Sequence, residues 1–190
     1  MGIDSDSVAH NFAQLCSKVS SISKLNSDSL IEEYLPGREF SVAILKDGYS
    51  EEYSLMPLEL IAPMDEHGAR LLSAKVKSAD TERFVEIVDQ NIKTKVTELA
   101  VDVFHALGAR DYGRVDIRLD ENGAPQFLEA NLIPSLLNGY GNFPKACKLN
   151  LGLDYESMLL QIVRLGLTRQ QEDIEFELLP AFSSSVFDIA

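Results

Sequence analysis

The chain has no tryptophan, only two cysteines, and 17 basic residues among 190. Each shortage excludes something. Cys16 and Cys147 are too few for a disulfide framework or a zinc site, so a reducing, cytoplasmic setting is expected. Seventeen Lys and Arg against 30 Asp and Glu leave a net charge of −13. Such a surface repels polyanions and argues against broad nucleic-acid binding. A small anion can still be held, but only by a local cluster of cations or a metal ion. No apolar run approaches the roughly 20 residues of a membrane helix, so no membrane partner is expected. Residues 1 to 6 are acidic and polar, unlike a secretory signal. His10, His67 and His105 share no ligand spacing, and Cys147 has no nearby histidine to activate it. What remains is ordinary globular composition, with 45% hydrophobic and 25% charged residues, enough to bury a core in one domain or two small ones.

The periodicity predicts an α+β protein with strands mostly in hairpins. Val8, Phe12, Leu15, Val19 and Ile22 give a helix over 6–23, with Ser5 or Asp6 as N-cap and Cys16 buried on a helix face. Strands are expected over 30–35, 39–45, 53–61 and 71–76, the first two separated by Pro36-Gly37. Val85, Val88, Ile92, Val96, Leu99, Val103 and Leu107 form the stripe of a helix over 84–107, with Gly108 in the C′ position. Two further strands, 112–119 and 125–131, flank Glu121-Asn122-Gly123. Residues 133–144 are rich in Pro, Gly and Asn and read as irregular. A last helix is expected over 155–165 with Asp154 as N-cap. The acidic, then Ser-rich tail gives no clear signal.

The hairpin carries the chemistry. With a four-residue loop at 121–124, residue 119 pairs with 126, Asp116 with Glu129 and Arg114 with Asn131. One face then carries Arg114, Asp116, Glu129 and Asn131. The other carries Val115, Ile117 and Leu119 against Leu128 and Ala130. Opposed carboxylates repel, and something must offset that repulsion. A hard divalent cation does so, because magnesium takes oxygen ligands and usually one or two protein carboxylates. The alternative is a solvated sheet face on which Arg114 and Arg118 offset the acids.

Gly113-Arg114-Val115-Asp116 followed by Phe127-Leu128-Glu129-Ala130-Asn131 and Pro134 resembles the C-terminal half of the D-alanine–D-alanine ligases, of the ATP-grasp superfamily. The block Glu32-Glu33-Tyr34-Leu35-Pro36-Gly37-Arg38-Glu39-Phe40 is similar to that family's hinge strand, and Ala74-Lys75 to its Ala-Lys pair. The resemblance covers residues 2–167. It implies a remnant of the central subdomain and hinge at 1–37, a C-terminal catalytic domain with a largely antiparallel sheet at 38–167, and a tail at 168–190. It implies a ligase that joins a carboxylate to an amine through an acyl phosphate, using ATP and Mg2+ or Mn2+. Carried over, Glu32 accepts the adenine amino group, Leu35 binds the adenine edge through its backbone, and Glu33 and Tyr34 line that linker. Glu39 takes the ribose hydroxyls, Lys75 approaches the phosphates and Arg114 stabilises the transition state. Asp116, Glu129 and Asn131 ligate the metal. Pro134, Ser135 and Asn138 belong to the acceptor-side substrate loop.

The sequence also departs from that family. No Gly-rich phosphate loop occurs, and the start at residues 1–3 looks like the exit from such a loop. Ser135 stands where the D-alanine ligases have glycine, so the loop looks more like that of relatives with other amine substrates. The expected partners are therefore a nucleotide and a small amino acid or peptide. A homo-oligomer, or an N-terminal portion supplied in trans, is the further partner expected. The competing reading is an inactive or partner-dependent remnant that acts as a binding module.

Overall fold

The computed structural model describes residues 3, 7–25, 28–64, 68–73, 76, 79 and 81–183. Among these are five strands: β1 (Glu39–Lys46), β2 (Tyr53–Ile61), β3 (Arg83–Val85), β4 (Tyr112–Leu119) and β5 (Pro125–Asn131). Four helices accompany them: α1 (Phe12–Ser23), α2 (Gln90–Ala106), α3 (Asn142–Leu151) and α4 (Tyr155–Ser183). The strands form one sheet in the order β3-β2-β1-β4-β5, and every neighbouring pair is antiparallel. No helix of the described residues is long and apolar enough to cross a membrane.

The central strand explains the layering. In β1, Phe40, Val42 and Ile44 point to one side and Ala43 and Leu45 to the other, and all five are buried. Phe40, Val42 and Ile44 join Val115, Ile117 and Leu119 of β4 beneath Val96, Ala100 and Phe104 of α2. Ala43 and Leu45 join Met56 and Leu58 of β2 beneath Phe143, Ala146, Cys147, Met158 and Leu165 of α3 and α4. A strand buried on both faces reads as a continuous apolar run, and β1 does so from Phe40 to Leu45 except at Ser41.

The α+β expectation holds, and several boundaries need correction. Helix α1 starts at Phe12 rather than residue 6. Asn11 supplies the cap, its Oδ1 accepting from the Gln14 N–H at 3.0 Å, while Gln14 Oε1 accepts from the His10 N–H at 2.7 Å. These reciprocal bonds fix the helix start; Ser5 and Asp6 lie outside the described residues. Cys16 is exposed, not buried, as α1 contains no buried residue among those described. Residues 30–35 form no strand: a β-favouring run without a paired neighbour has nothing to bond to. Nor do residues 71–73 form one, and Val76 stands in a helical turn.

The stripe read from residue 84 merges two elements. Arg83–Val85 pairs with β2 through Glu59 and Val85. The helix begins only after Asp89, whose Oδ1 accepts from the N–H groups of Asn91 and Ile92. Val88, read as part of the stripe, lies in the connection and is 86% exposed. At the other end Gly108 has φ +64°. The Gly108 N–H bonds to the His105 carbonyl and the Ala109 N–H to the Phe104 carbonyl, a Schellman ending.

Helix α3 had no counterpart in the sequence reading. Its first turn contains Pro144, which is tolerated there because early helical N–H groups lack intrahelical partners. Its C-cap, Gly152, has φ 65°. Asp154 caps α4 as expected, accepting from the Ser157 N–H at 2.8 Å. The helix runs on to Ser183 instead of stopping at 165. Residues 166–179 hold mostly Leu, Gln, Glu and Arg, which favour helix, and Pro180 falls only in the last turn of α4.

Candidate active site

One face of the sheet changes character along its length. The β1–β4 register sets Leu45 beside Tyr112, Ala43 beside Arg114, Ser41 beside Asp116 and Glu39 beside Arg118. The Leu45 end lies under α3 and α4 with the second core. The Glu39 end is polar. There Asp116 holds both of its oxygens in bonds. Oδ1 accepts from Ser41 Oγ at 2.7 Å and from Arg114 Nε at 2.9 Å. Oδ2 accepts from Arg114 Nη2 at 2.7 Å. This forked pair is the strong form of a carboxylate–guanidinium contact.

Strand β5 completes the face. Asp116 pairs with Glu129 and Arg114 with Asn131, as the sequence implied. The register nearer the turn differs. Leu119 pairs with Pro125, not with residue 126, and the offset is taken up between Asp116 and Ile117, where Leu128 is the extra residue. This bulge moves Leu128 off the apolar face and leaves it 41% exposed. Asp120 accounts for the longer turn, its Oδ1 accepting from the N–H groups of Asn122 and Ala124. The bulge lies between the turn and the site, so the pairings that matter are preserved.

The electrostatics follow from this packing. Glu129 Oε1 lies 3.7 Å from Arg114 Nη2, with 60% of its side chain exposed. Burial pushes the Asp116 carboxyl above the usual carboxylate range; Arg114 and Ser41 pull it back, and the Glu129 charge pushes it further up. Two carboxylates against one guanidinium leave the face net negative. A cation there would draw Asp116 back toward its charged form. The donors are all oxygens once the Asn131 amide is turned, because its Nδ2 now donates to Glu129 at 3.1 Å. That chemistry fits a hard divalent ion. Among the described residues no group of three or more His, Cys, Asp and Glu could hold a metal, so the candidate set is two carboxylates and an amide.

The residues expected to form a hinge approach the same end of the sheet. The Gly37 N–H donates to the Leu119 carbonyl at 3.0 Å, and the Leu119 N–H to the Arg38 carbonyl at 2.9 Å. A Cβ on Gly37 would sit 2.4 Å from that Leu119 oxygen, so glycine is required by close approach, not by its φ. Glu39 is half-buried and paired with Arg118. Leu35 is half-buried, Glu32 and Glu33 are exposed, and Tyr34 is 38% exposed. A cavity of about 160 Å³ opens beside Gly37, Glu39, Arg70 and Arg118. Of the residues expected in a substrate loop, Pro134 is buried while Ser135 and Asn138 are exposed. Lys75 lies outside the described residues. A wider cleft of about 660 Å³ on the α2 side, walled by Leu55, Lys93 and Glu98, contains no residue expected in the site.

Sequence reasoning missed two residues of this face. Ser41 was legible as the polar member of Glu39-Phe40-Ser41-Val42, at an even spacing from Glu39. Arg118 was read only as a charge offsetting the acids, yet it is 7% exposed.

Residues 3–164, which hold this antiparallel sheet and its flanking helices, match the model of the D-ala D-ala ligase C-terminus. The chain belongs to that family. It is 37% identical over 134 residues to the y4sG protein of Sinorhizobium fredii, covering 68% of this chain and 39% of that one. It is 30% identical over 141 residues to the D-alanine–D-alanine ligase of Bordetella petrii, covering 74% and 41% respectively. Among solved structures it is similar to the Bacillus anthracis D-alanine–D-alanine ligase complexed with ATP. There the TM-score is 0.65 at 21% identity, with 87% of this chain and 50% of that one covered. The chain thus spans about two fifths of the length of these curated relatives.

Proposed function

We propose that this chain forms the C-terminal part of an ATP- and magnesium-dependent ligase that joins a carboxylate to an amine. The observation that carries the reading is the single sheet face holding Arg114, Asp116, Glu129 and Asn131, with Glu39 at its end. In such a reaction a substrate carboxylate oxygen bonds to the γ-phosphorus of ATP as the bond to the bridging oxygen breaks and ADP leaves. The amine then attacks the acyl carbon, phosphate departs, and the amine proton is released. A bound magnesium would neutralise charge on the phosphates and on the transferring group.

The chain's own residues divide that work. Asp116, Glu129 and the Asn131 amide hold the metal. Arg114, on the same face, stabilises the negative charge of the transferring phosphoryl group. Its existing fork to Asp116 keeps both groups oriented before ligand arrives. Glu32 and the Leu35 backbone bind adenine, Glu33 and Tyr34 line the linker, and Glu39 takes the ribose hydroxyls. Lys75 approaches the phosphates. Pro134, Ser135 and Asn138 wall the acceptor side, and Ser135 in place of glycine points to an amine other than D-alanine. The hinge divides the chain at 37, helix α4 carries the catalytic domain on past 167, and the setting is cytoplasmic.

The reading is tested by incubating the purified chain with ATP, magnesium and a panel of amino acids and measuring nucleotide binding and phosphate release. Magnesium-dependent ATP binding is expected, with release well below ligase rates. Preorganised donors of a phosphate loop are absent from the sequence, and each such donor is worth roughly a hundredfold in rate. Failure to bind ATP at millimolar concentration would overturn the reading. Robust amino-acid-dependent release would show that the missing donors are dispensable.

A further inference from the structure

Arg118 is nearly buried, and no step of the proposed reaction uses it. A guanidinium out of water needs its donors satisfied. Here Nη1 donates to Glu39 Oε2 at 3.2 Å. Nε donates to the Gly37 carbonyl at 3.2 Å. Nη2 donates to the Arg70 carbonyl at 2.9 Å and to the Tyr34 hydroxyl at 3.3 Å. The guanidinium also lies over the Tyr34 ring, 5.2 Å from its centroid. One side chain on β4 therefore grips three neighbours in the hinge block, at positions 34, 37 and 39, and one loop beyond β2. It also lines the small cavity together with Gly37, Glu39 and Arg70.

We infer that Arg118 is a positioning residue for nucleotide recognition: it aims the Glu39 carboxylate at the ribose hydroxyls and sets the linker that borders the base. The inference rests on the proposed nucleotide site and adds to it a residue that does not touch the nucleotide. The physical argument is directional. Glu39 has two carboxylate oxygens, and a fixed guanidinium on one of them fixes where the other points. The fork is rigid, and the two backbone carbonyls and the tyrosine hold it in place. Without it, Glu39 loses the bond that orients its Oε2. A carboxylate free to turn gives little preference for a ribose over a sugar lacking hydroxyls.

The test uses the whole chain, with magnesium present. Affinities for ATP and for 2′,3′-dideoxy-ATP are measured by calorimetry for the wild type, Glu39→Ala, Arg118→Met and Arg118→Lys, with thermal melting of each. The ratio of the two affinities is the readout. A change that merely loosens the fold weakens both nucleotides in proportion and leaves the ratio alone. A hydrogen bond to a charged group predicts a wild-type preference for ATP of about tenfold. Glu39→Ala should abolish it, Arg118→Met should reduce it to about twofold or less, and Arg118→Lys should fall between. A wild-type ratio in a folded Arg118→Met would overturn the inference while leaving the nucleotide site standing. If Arg118→Met does not fold, a wild-type ratio in Arg118→Lys overturns it equally. No ATP binding by the wild type, or a ratio that Glu39→Ala does not change, would overturn the proposed site and this inference with it.

Discussion

The two ends of one sheet face make opposite use of the same strands. At one end Ala43, Leu45 and Met56 lie under Phe143, Cys147 and Met158. At the other, one pleat beyond Ala43, Ser41 and Asp116 share a hydrogen bond beside Glu129 and Arg118. The apolar end is held by area removed from water and needs no particular orientation. The polar end is held by directed bonds, and each group there serves by where it points. Stability should therefore concentrate in the first and ligand affinity in the second.

The sharpest way to break this contrast is at Phe143, which is fully buried. Phe143→Ala should cost about 3–5 kcal/mol in unfolding free energy, read by urea denaturation. Asp116→Asn should act mostly on affinity. It keeps the volume but puts a donor where one oxygen of the fork accepts from Arg114, so unfolding free energy should fall by about 1–3 kcal/mol, less than at Phe143. Magnesium-dependent nucleotide affinity, however, should fall about tenfold or more by titration, because a charged oxygen ligand is lost. A stability loss as large as that of Phe143→Ala would erase the distinction between the two ends.

Thiol chemistry sharpens the comparison within the apolar end. Burial pushes the Cys147 thiol up to about 12, from an ordinary value of 9.0. A disulfide reagent should consume Cys16 promptly in the native protein and Cys147 only on unfolding. The linkage has a definite sign. Above pH 9 the unfolded chain loses the Cys147 proton while the folded chain keeps it, so stability falls as pH rises from about 9 toward 12. Cys147→Ala should flatten that fall in pH-dependent melts. The smallest effect is expected at Glu129, whose side chain is largely exposed: Glu129→Gln should change unfolding free energy by less than about 0.5 kcal/mol.

The β4–β5 hairpin was legible because alternation and a turn signal define it locally, and β1 because its apolar run is local too. So were Gly108 and Asp154, since cap chemistry is local too. The strand expected at 30–35 was not a misreading of propensity. It failed because pairing depends on a neighbour that a propensity cannot report. Val85 and Val88 continued the helical stripe of α2 in the sequence, but Asp89 capped the helix and β2 claimed the chain before it. Helix α3 was hidden by Pro144, which reads as a breaker unless its place in the first turn is known. At the site, the same-face grouping of Arg114, Asp116, Glu129 and Asn131 was legible from period-2 spacing. The burial of Arg118 was not, because it depends on how Tyr34, Gly37 and Arg70 fold back over β4.

The bulge at Leu128 also bears on how this protein behaves in a crowded solution. An outermost strand offers its free amides and carbonyls to any passing chain, and a long flat one templates stacking. Here β5 opens with a proline, is kinked by one extra residue, and presents the charged Glu129 along its length. The opposite border, β3, is only three residues long and carries Arg83. Neither border gives a second copy a straight run of backbone to extend in register. The irregularity that leaves the Asp116–Glu129 and Arg114–Asn131 pairs untouched thus also works against growth of the sheet.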